Sequence, residues 1–132
     1  MKVLIAEDDF ISRQLLQKLL SAYGQCDVVV NGKEAIEAHA YALESNEPYD
    51  LICLDVMMPE VDGMEALKAI RAKEISCGIS LEHEVRIVMT TALDSPRDIL
   101  EAHYGGGCTD YLVKPLDTKK LLKLLSSYGL ID

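Results

Sequence analysis

The chain has 132 residues, of which 49% are hydrophobic, enough for one domain with its own core. Its formal charge of −9 argues against a nucleic-acid-binding surface, which needs clustered Lys and Arg. The four cysteines (Cys26, Cys53, Cys77 and Cys108) lie far apart without a C-x-x-C pair, and His39, His83 and His103 add no ligand cluster; they read as small buried hydrophobes in a reducing compartment.

Val3 to Ala6 is a short apolar run and reads as a first strand. It is too short for a signal peptide, and no later run reaches the length of a membrane span, so a soluble, cytoplasmic chain is expected. Ile11, Leu15, Leu16, Leu19 and Leu20 then recur at helical spacing. Val28 to Val30 is a β-branched second strand, ended by Asn31-Gly32, and Glu34 to Leu43 follows as a helix. Leu51 to Leu54 is the third strand and stops at Asp55; Met64, Leu67, Ala69 and Ile70 carry the third helix. Between Ile70 and Val85 either that helix continues to about Ile75 and stops near Gly78, or the segment is an excursion, unusually long for a compact fold. Val85 to Met89 is the fourth strand. Pro96 to Tyr104 reads as the fourth helix, with Ser95 as N-cap and proline at the first helical position. The run Gly105-Gly106-Gly107 reads as a helix stop and turn, since it lacks the phosphate-loop pattern. Tyr111 to Val113 lies in the fifth strand, and a last helix runs from about Thr118 to Gly129 with Leu121, Leu122, Leu124 and Leu125 facing inward.

Five βα units in sequence call for an α/β fold, a doubly wound parallel sheet with helices on both faces. The third and fourth strands are apolar on both alternating sides, as strands covered on both faces are. The chain is expected to be one domain over residues 1–132 with no output domain, because it ends with its last helix.

In such a sheet ligands bind beyond the carboxyl ends of the strands. There the first strand delivers Glu7, Asp8 and Asp9, the third Asp55, the fourth Thr90 and Thr91, and the fifth Lys114-Pro115. Converging carboxylates repel one another and need a cation or raised pKa values to coexist. A hard, oxygen-ligated cation that keeps several waters, such as Mg²⁺, suits them. A lysine and a hydroxyl on neighbouring strands complete a site for a small tetrahedral oxyanion. The chemistry is that of metal-assisted phosphoryl transfer, with a carboxylate as candidate nucleophile.

The ordered set Glu7-Asp8, Asp55-Val-Met-Met-Pro59 with Gly63, Thr91-Ala92 and Tyr111-Leu-Val-Lys114-Pro115 resembles the receiver domain of response regulators in two-component signalling, over essentially the whole chain. The resemblance implies the flavodoxin-like sheet order 2-1-3-4-5, which is known for a chemotaxis member of the family. It further implies that Asp55 is the phosphoacceptor, forming a 4-aspartylphosphate. Asp8 would be the direct Mg²⁺ ligand, Glu7 an acid holding the metal largely through water, and Met57 a ligand through its backbone carbonyl. Thr91 would bond a phosphoryl oxygen, Lys114 would pair with the phosphoryl group or with Asp55, and Tyr111 would change rotamer with Thr91 as a switch. Pro59, Gly63 and Pro115 would be structural, Pro115 as a cis-proline and Gly63 permitting the turn into the third helix. Asp9 is left with a supporting role, or simply as a helix cap.

The implied donor is a phosphohistidine on a sensor histidine kinase or a histidine phosphotransfer protein. The implied target is a protein that reads the face of the fourth helix, fifth strand and fifth helix; no nucleic-acid or membrane partner is expected, and the chain would be a monomer or weak dimer. The protein would be no enzyme beyond its own phosphorylation and autodephosphorylation. Met57 and Leu93 occupy the positions that tune hydrolysis in the family; neither offers an amide or acid to orient water, so a slow loss of phosphoryl is expected. The alternative is a degenerate receiver acting as a constitutive protein-interaction module, although every matched acid, the threonine and the lysine are present. A hydrolase with an aspartyl-phosphate intermediate would commonly place a second Asp where Met57 stands, and a flavodoxin-like cofactor binder would need a phosphate loop after the first strand.

Overall fold

Alternation of apolar runs with amphipathic stretches yields one twisted parallel sheet. The structure, a computed structural model, describes residues 1–92 and 107–132. Strands β1 (Lys2–Ala6), β2 (Gln25–Val29), β3 (Leu51–Asp55), β4 (Arg86–Thr91) and β5 (Asp110–Val113) pair in the order β2-β1-β3-β4-β5, all parallel. This is the order the resemblance implied. β3 is buried at every position, as expected of a central strand covered on both faces.

The period-2 alternation of side chains divides the core in two. Leu4, Ala6, Ile52, Leu54, Ile87 and Met89 face one layer, packed with Ala35 of α2 (Gly32–Glu44) and Leu67 and Ile70 of α3 (Gly63–Ser76). Val3, Ile5, Leu51, Cys53, Val88 and Leu112 face the other, packed with Leu16 and Leu20 of α1 (Phe10–Leu20) and Leu121 and Leu125 of the C-terminal helix (Thr118–Ser127). Each such leucine or isoleucine contributes about 1.5–3 kcal/mol by leaving water.

Side-chain caps fix where the helices start, and hence where the strand-end loops lie. Asp9, Asn31, Asp62 and Asp117 each accept a backbone N–H from the first turn of the helix that follows. At α2 a second bond reinforces the cap from the residue before it. Asn31 Oδ1 accepts from Glu34 N–H at 2.8 Å, and Glu34 Oε1 accepts from Val30 N–H at 3.0 Å.

Several expectations shift. β2 begins at Gln25, because its ladder to β1 pairs Lys2 with Gln25, and Val30 falls outside it and is exposed. On this edge strand polar residues are tolerated, so the apolar run marks only its carboxyl half. α3 does continue past Ile70, to Ser76; Gly78, at φ +75°, closes it with Gly78 N–H bonding to Ile75 O. A single 3₁₀ turn, Leu81–His83, then leads into β4. Leu122 is only half-buried, since Leu121 and Leu125 hold the inward stripe. Of the cysteines, Cys53 and Cys108 are buried, but Cys26 is half-buried and Cys77 exposed. The expected fourth helix at 96–104, together with Leu93, Ser95, His103, Gly105 and Gly106, lies outside the described residues. Among the described residues no helix is long and apolar enough to cross a membrane.

Candidate functional site

The parallel register decides which side chains meet. Ala6 pairs with Leu54, so Glu7, one residue beyond β1, comes beside Asp55 at the end of β3. Asp55 in turn pairs with Thr90, and Thr91 with Val113, the residue before Lys114. Glu7 is fully buried, Asp55 is 3% exposed, and Asp8 is open to solvent. One carboxylate oxygen from each of Glu7, Asp8 and Asp55 lies within 4.8 Å of the others.

Lys114 closes this cluster. Its Nζ is 2.7 Å from Glu7 Oε1 and 3.3 Å from Asp55 Oδ2. Its backbone N–H donates to Thr91 O at 2.7 Å, and its bond to Pro115 is cis, as expected. Thr91 is 3% exposed at the last position of β4. Met57 N–H donates to Asp55 Oδ1 at 3.2 Å, while the Met57 side chain stands in solvent, so only its backbone is placed for the site.

Electrostatics follow from this crowding. Burial, then the hydrogen bond and charge of Glu7, push Asp55 from 3.8 up to about 8, against the pull of Lys114 and the Met57 N–H. Lys114 is raised above its ordinary value: burial opposes this, but Glu7 and Asp55 outweigh it. One ammonium serves three carboxyl groups, two of them buried, so a further cation is needed before Asp55 can ionise near neutral pH. An all-oxygen cluster of this kind fits a divalent hard cation, which would be held by Glu7, Asp8 and Asp55.

The remaining expected residues fall into place less uniformly. Asp9 is exposed and caps α1, accepting from Ser12 N–H at 2.9 Å, so it belongs to the helix rather than to the cluster. Gly63 opens α3, but not by a left-handed turn. A Cβ there would stand 2.1 Å from Asp55 O, so glycine is needed for the backbone to pass behind the acceptor. Pro59 is exposed in the β3–α3 loop, where Glu60 takes φ 66°. Tyr111 is half-buried and packs on the first core layer. Arg13 was not singled out from sequence, yet its Nη1 donates to the carbonyls of Glu7 (3.2 Å) and Asp8 (3.4 Å), pinning the acid-bearing turn. Its only sequence signal is a cation one helical turn past the acids.

The family model "Response regulator receiver domain" matches residues 3–126. The chain belongs to the response regulator receiver family. The transcriptional regulatory protein CitT of Halalkalibacterium halodurans is 36% identical over 96% of this chain. This receiver spans 51% of CitT and only 7% of the hybrid signal transduction histidine kinase L of Dictyostelium discoideum, which is 31% identical over 97% of this chain. Among solved structures, a co-crystal of the Saccharomyces cerevisiae histidine phosphotransfer protein Ypd1 with the receiver domain of its downstream response regulator Ssk1 matches with a TM-score of 0.82 and 31% identity, over 98% of this chain and 88% of that one. As a receiver, the chain is built with its acids, hydroxyl and lysine at four neighbouring strand ends.

Proposed function

We propose that this receiver accepts a phosphoryl group on Asp55 from a phosphohistidine donor, in a Mg²⁺-dependent reaction, and thereby switches a protein-binding face. The observation that carries the reading is the convergence of Glu7, Asp8 and Asp55, with Lys114 Nζ 3.3 Å from the Asp55 carboxylate.

When bound, Mg²⁺ offsets the charge of the carboxylates and of the incoming phosphoryl oxygens. The chain supplies the rest. Asp55 attacks phosphorus through a carboxylate oxygen; the O–P bond forms, the P–N bond breaks, and the donor imidazole leaves with the electron pair. Asp55 must be ionised to do so, and its raised pKa means that cationic neighbours are needed near neutral pH. Lys114 moves its charge from Glu7 and Asp55 to the phosphoryl oxygens. The Thr91 hydroxyl donates to one of them, and Tyr111, in the adjacent strand, changes rotamer as Thr91 moves. The altered face, built on β5 and the C-terminal helix, is then read by a partner as a population shift. The chain acts on itself alone, gaining and losing the phosphoryl group.

A protein donor is supported by the apolar surface of α1: Phe10 (59% exposed) and Ile11 (73%) stand directly after Asp8 and Asp9. A histidine kinase or phosphotransfer protein with an apolar face around its phosphohistidine would cover them. Incubating the receiver with a phosphorylated histidine phosphotransfer protein tests the proposal. Label should move to this chain with Mg²⁺, and neither with EDTA nor in Asp55→Asn; transfer that ignores the metal would refute it.

A further inference from the structure

Three acidic residues in succession, Glu7, Asp8 and Asp9, connect β1 to α1, and the first two belong to the carboxylate cluster. Such a run repels itself, so the backbone that carries it needs outside support. Backbone bonds hold the two ends of this turn. Glu7 N–H donates to Val29 O at 3.1 Å, and the first backbone bond of α1 reaches back to Asp9, from Arg13 N–H to Asp9 O at 2.9 Å. The Ser12 N–H is taken by the Asp9 side-chain cap.

The carbonyls of Glu7 and Asp8 lie behind that reach. Arg13 meets both with one nitrogen: Nη1 is 3.2 Å from Glu7 O and 3.4 Å from Asp8 O. Long helical side chains point toward the amino end of their own helix, which carries this guanidinium from the start of α1 back to the strand end. A cation near a helix amino terminus opposes the helix dipole, so its place there depends on its contacts. The Phe10 ring lies over it, with Cζ 5.4 Å from the ring centroid. The two cations at the site therefore differ in what they hold. Lys114 takes the carboxylates of Glu7 and Asp55, whereas Arg13 takes the carbonyls behind the acids and leaves their carboxylate oxygens for a metal.

We propose that Arg13 is a positioning residue for the divalent cation: by holding the Glu7 and Asp8 carbonyls it presents their carboxylates to Mg²⁺, and it strengthens Mg²⁺ binding although its own charge repels the ion. This rests on the Mg²⁺-dependent reading above. Charge and position act with opposite sign here. Coulomb repulsion alone would make Mg²⁺ bind more tightly once a positive charge beside the site is removed. Loss of positioning makes it bind more weakly, by roughly tenfold, as the loss of one charge-assisted hydrogen bond allows.

The test is a titration of the full chain with MgCl₂, followed through the Met57 amide by NMR, for wild type, Arg13→Gln, Arg13→Lys and Lys18→Gln. Lys18→Gln removes the same charge from the last turn of the same helix and should leave the Mg²⁺ affinity within about twofold of wild type. Arg13→Gln should weaken it roughly tenfold, and Arg13→Lys, which keeps the charge and a donor on a shorter reach, should fall between. In labelling by acetyl phosphate, Arg13→Gln should raise the half-saturating Mg²⁺ concentration by the same factor and lower the rate at saturating Mg²⁺ far less. The urea midpoint in EDTA reports whether each variant is folded, and Arg13→Lys keeps the comparison available if Arg13→Gln is not. Unchanged or tighter Mg²⁺ binding by the Arg13 variants, or an equal loss in Lys18→Gln, would overturn the proposal while leaving the Mg²⁺ reading intact. A wild type that shows no saturable response to Mg²⁺ would overturn both.

Discussion

Replacing Asp55 by Asn should stabilise the metal-free protein, and increasingly so as pH rises. Asp55 is 3% exposed and its pKa is pushed from 3.8 to about 8, burial being the largest cause and Glu7 the next. The folded protein therefore holds a proton that the unfolded chain releases near pH 4. Below that pH both states are protonated and the carboxyl costs nothing extra. Between about pH 4 and pH 8 the unfolded state gains from ionisation while the folded state does not, so stability falls as pH rises, and levels off above the folded-state value. Taken alone, the displacement corresponds to an upper bound of about 5–6 kcal/mol. Because Glu7 and Lys114 stand beside the carboxyl, Lys114 at 3.3 Å, a realised difference of roughly 1–3 kcal/mol is expected. Urea denaturation of both proteins at pH 4.5, 6 and 8 in EDTA reads this directly. The variant's advantage should grow across the series, and millimolar Mg²⁺ should shrink or reverse it by stabilising only the wild-type carboxylate cluster. A pH-independent difference, or a wild type more stable than Asp55→Asn at pH 8 without metal, would refute the argument.

Gly63→Ala places a Cβ about where the Asp55 carbonyl oxygen already stands, so a loss of about 1–3 kcal/mol in urea unfolding is expected, with phosphorylation impaired because Asp55 must shift. Met57→Asn puts a hydrogen-bonding amide at a solvent-exposed position next to the acceptor; the phosphorylated lifetime should shorten by about tenfold, below the usual range for a full general base, as followed by loss of label after the donor is removed. Ile11→Lys should weaken capture of a phosphorylated protein donor by roughly tenfold in concentration-dependent transfer kinetics, while leaving labelling by acetyl phosphate unchanged.

The central strands and the site were legible for the same reason. β3 is buried throughout and therefore reads as an unbroken apolar run, and the first charged residue after such a run marks the strand end where ligands bind. Glu7 and Asp55 follow from that rule, whereas Thr91, which is uncharged, and Lys114 are marked by the ordered Thr91-Ala92 and Lys114-Pro115 pairs that resemble the receiver family. Features set by contacts between remote segments were not legible. The first half of β2 is polar because it is an edge, and only its ladder to Lys2 defines it. Gly63 looked like a turn residue, whereas its requirement comes from the Asp55 carbonyl oxygen behind it. Arg13 reads as an ordinary helix-surface cation until its guanidinium is seen on the Glu7 and Asp8 carbonyls. The buried His39, Arg71 and Glu74 sit on two helices whose sequences show only amphipathic spacing, and their meeting depends on how α2 and α3 pack.

The most direct test of the account is to locate the modified residue. After transfer from a phosphohistidine donor in Mg²⁺, borohydride reduction converts an aspartyl phosphate to homoserine, which peptide mass spectrometry can place. The account predicts homoserine at position 55 and nowhere else, lost when Mg²⁺ is withheld. Label recovered at Asp8, at a histidine, or at any residue in the Asp55→Asn variant to the wild-type extent would contradict it.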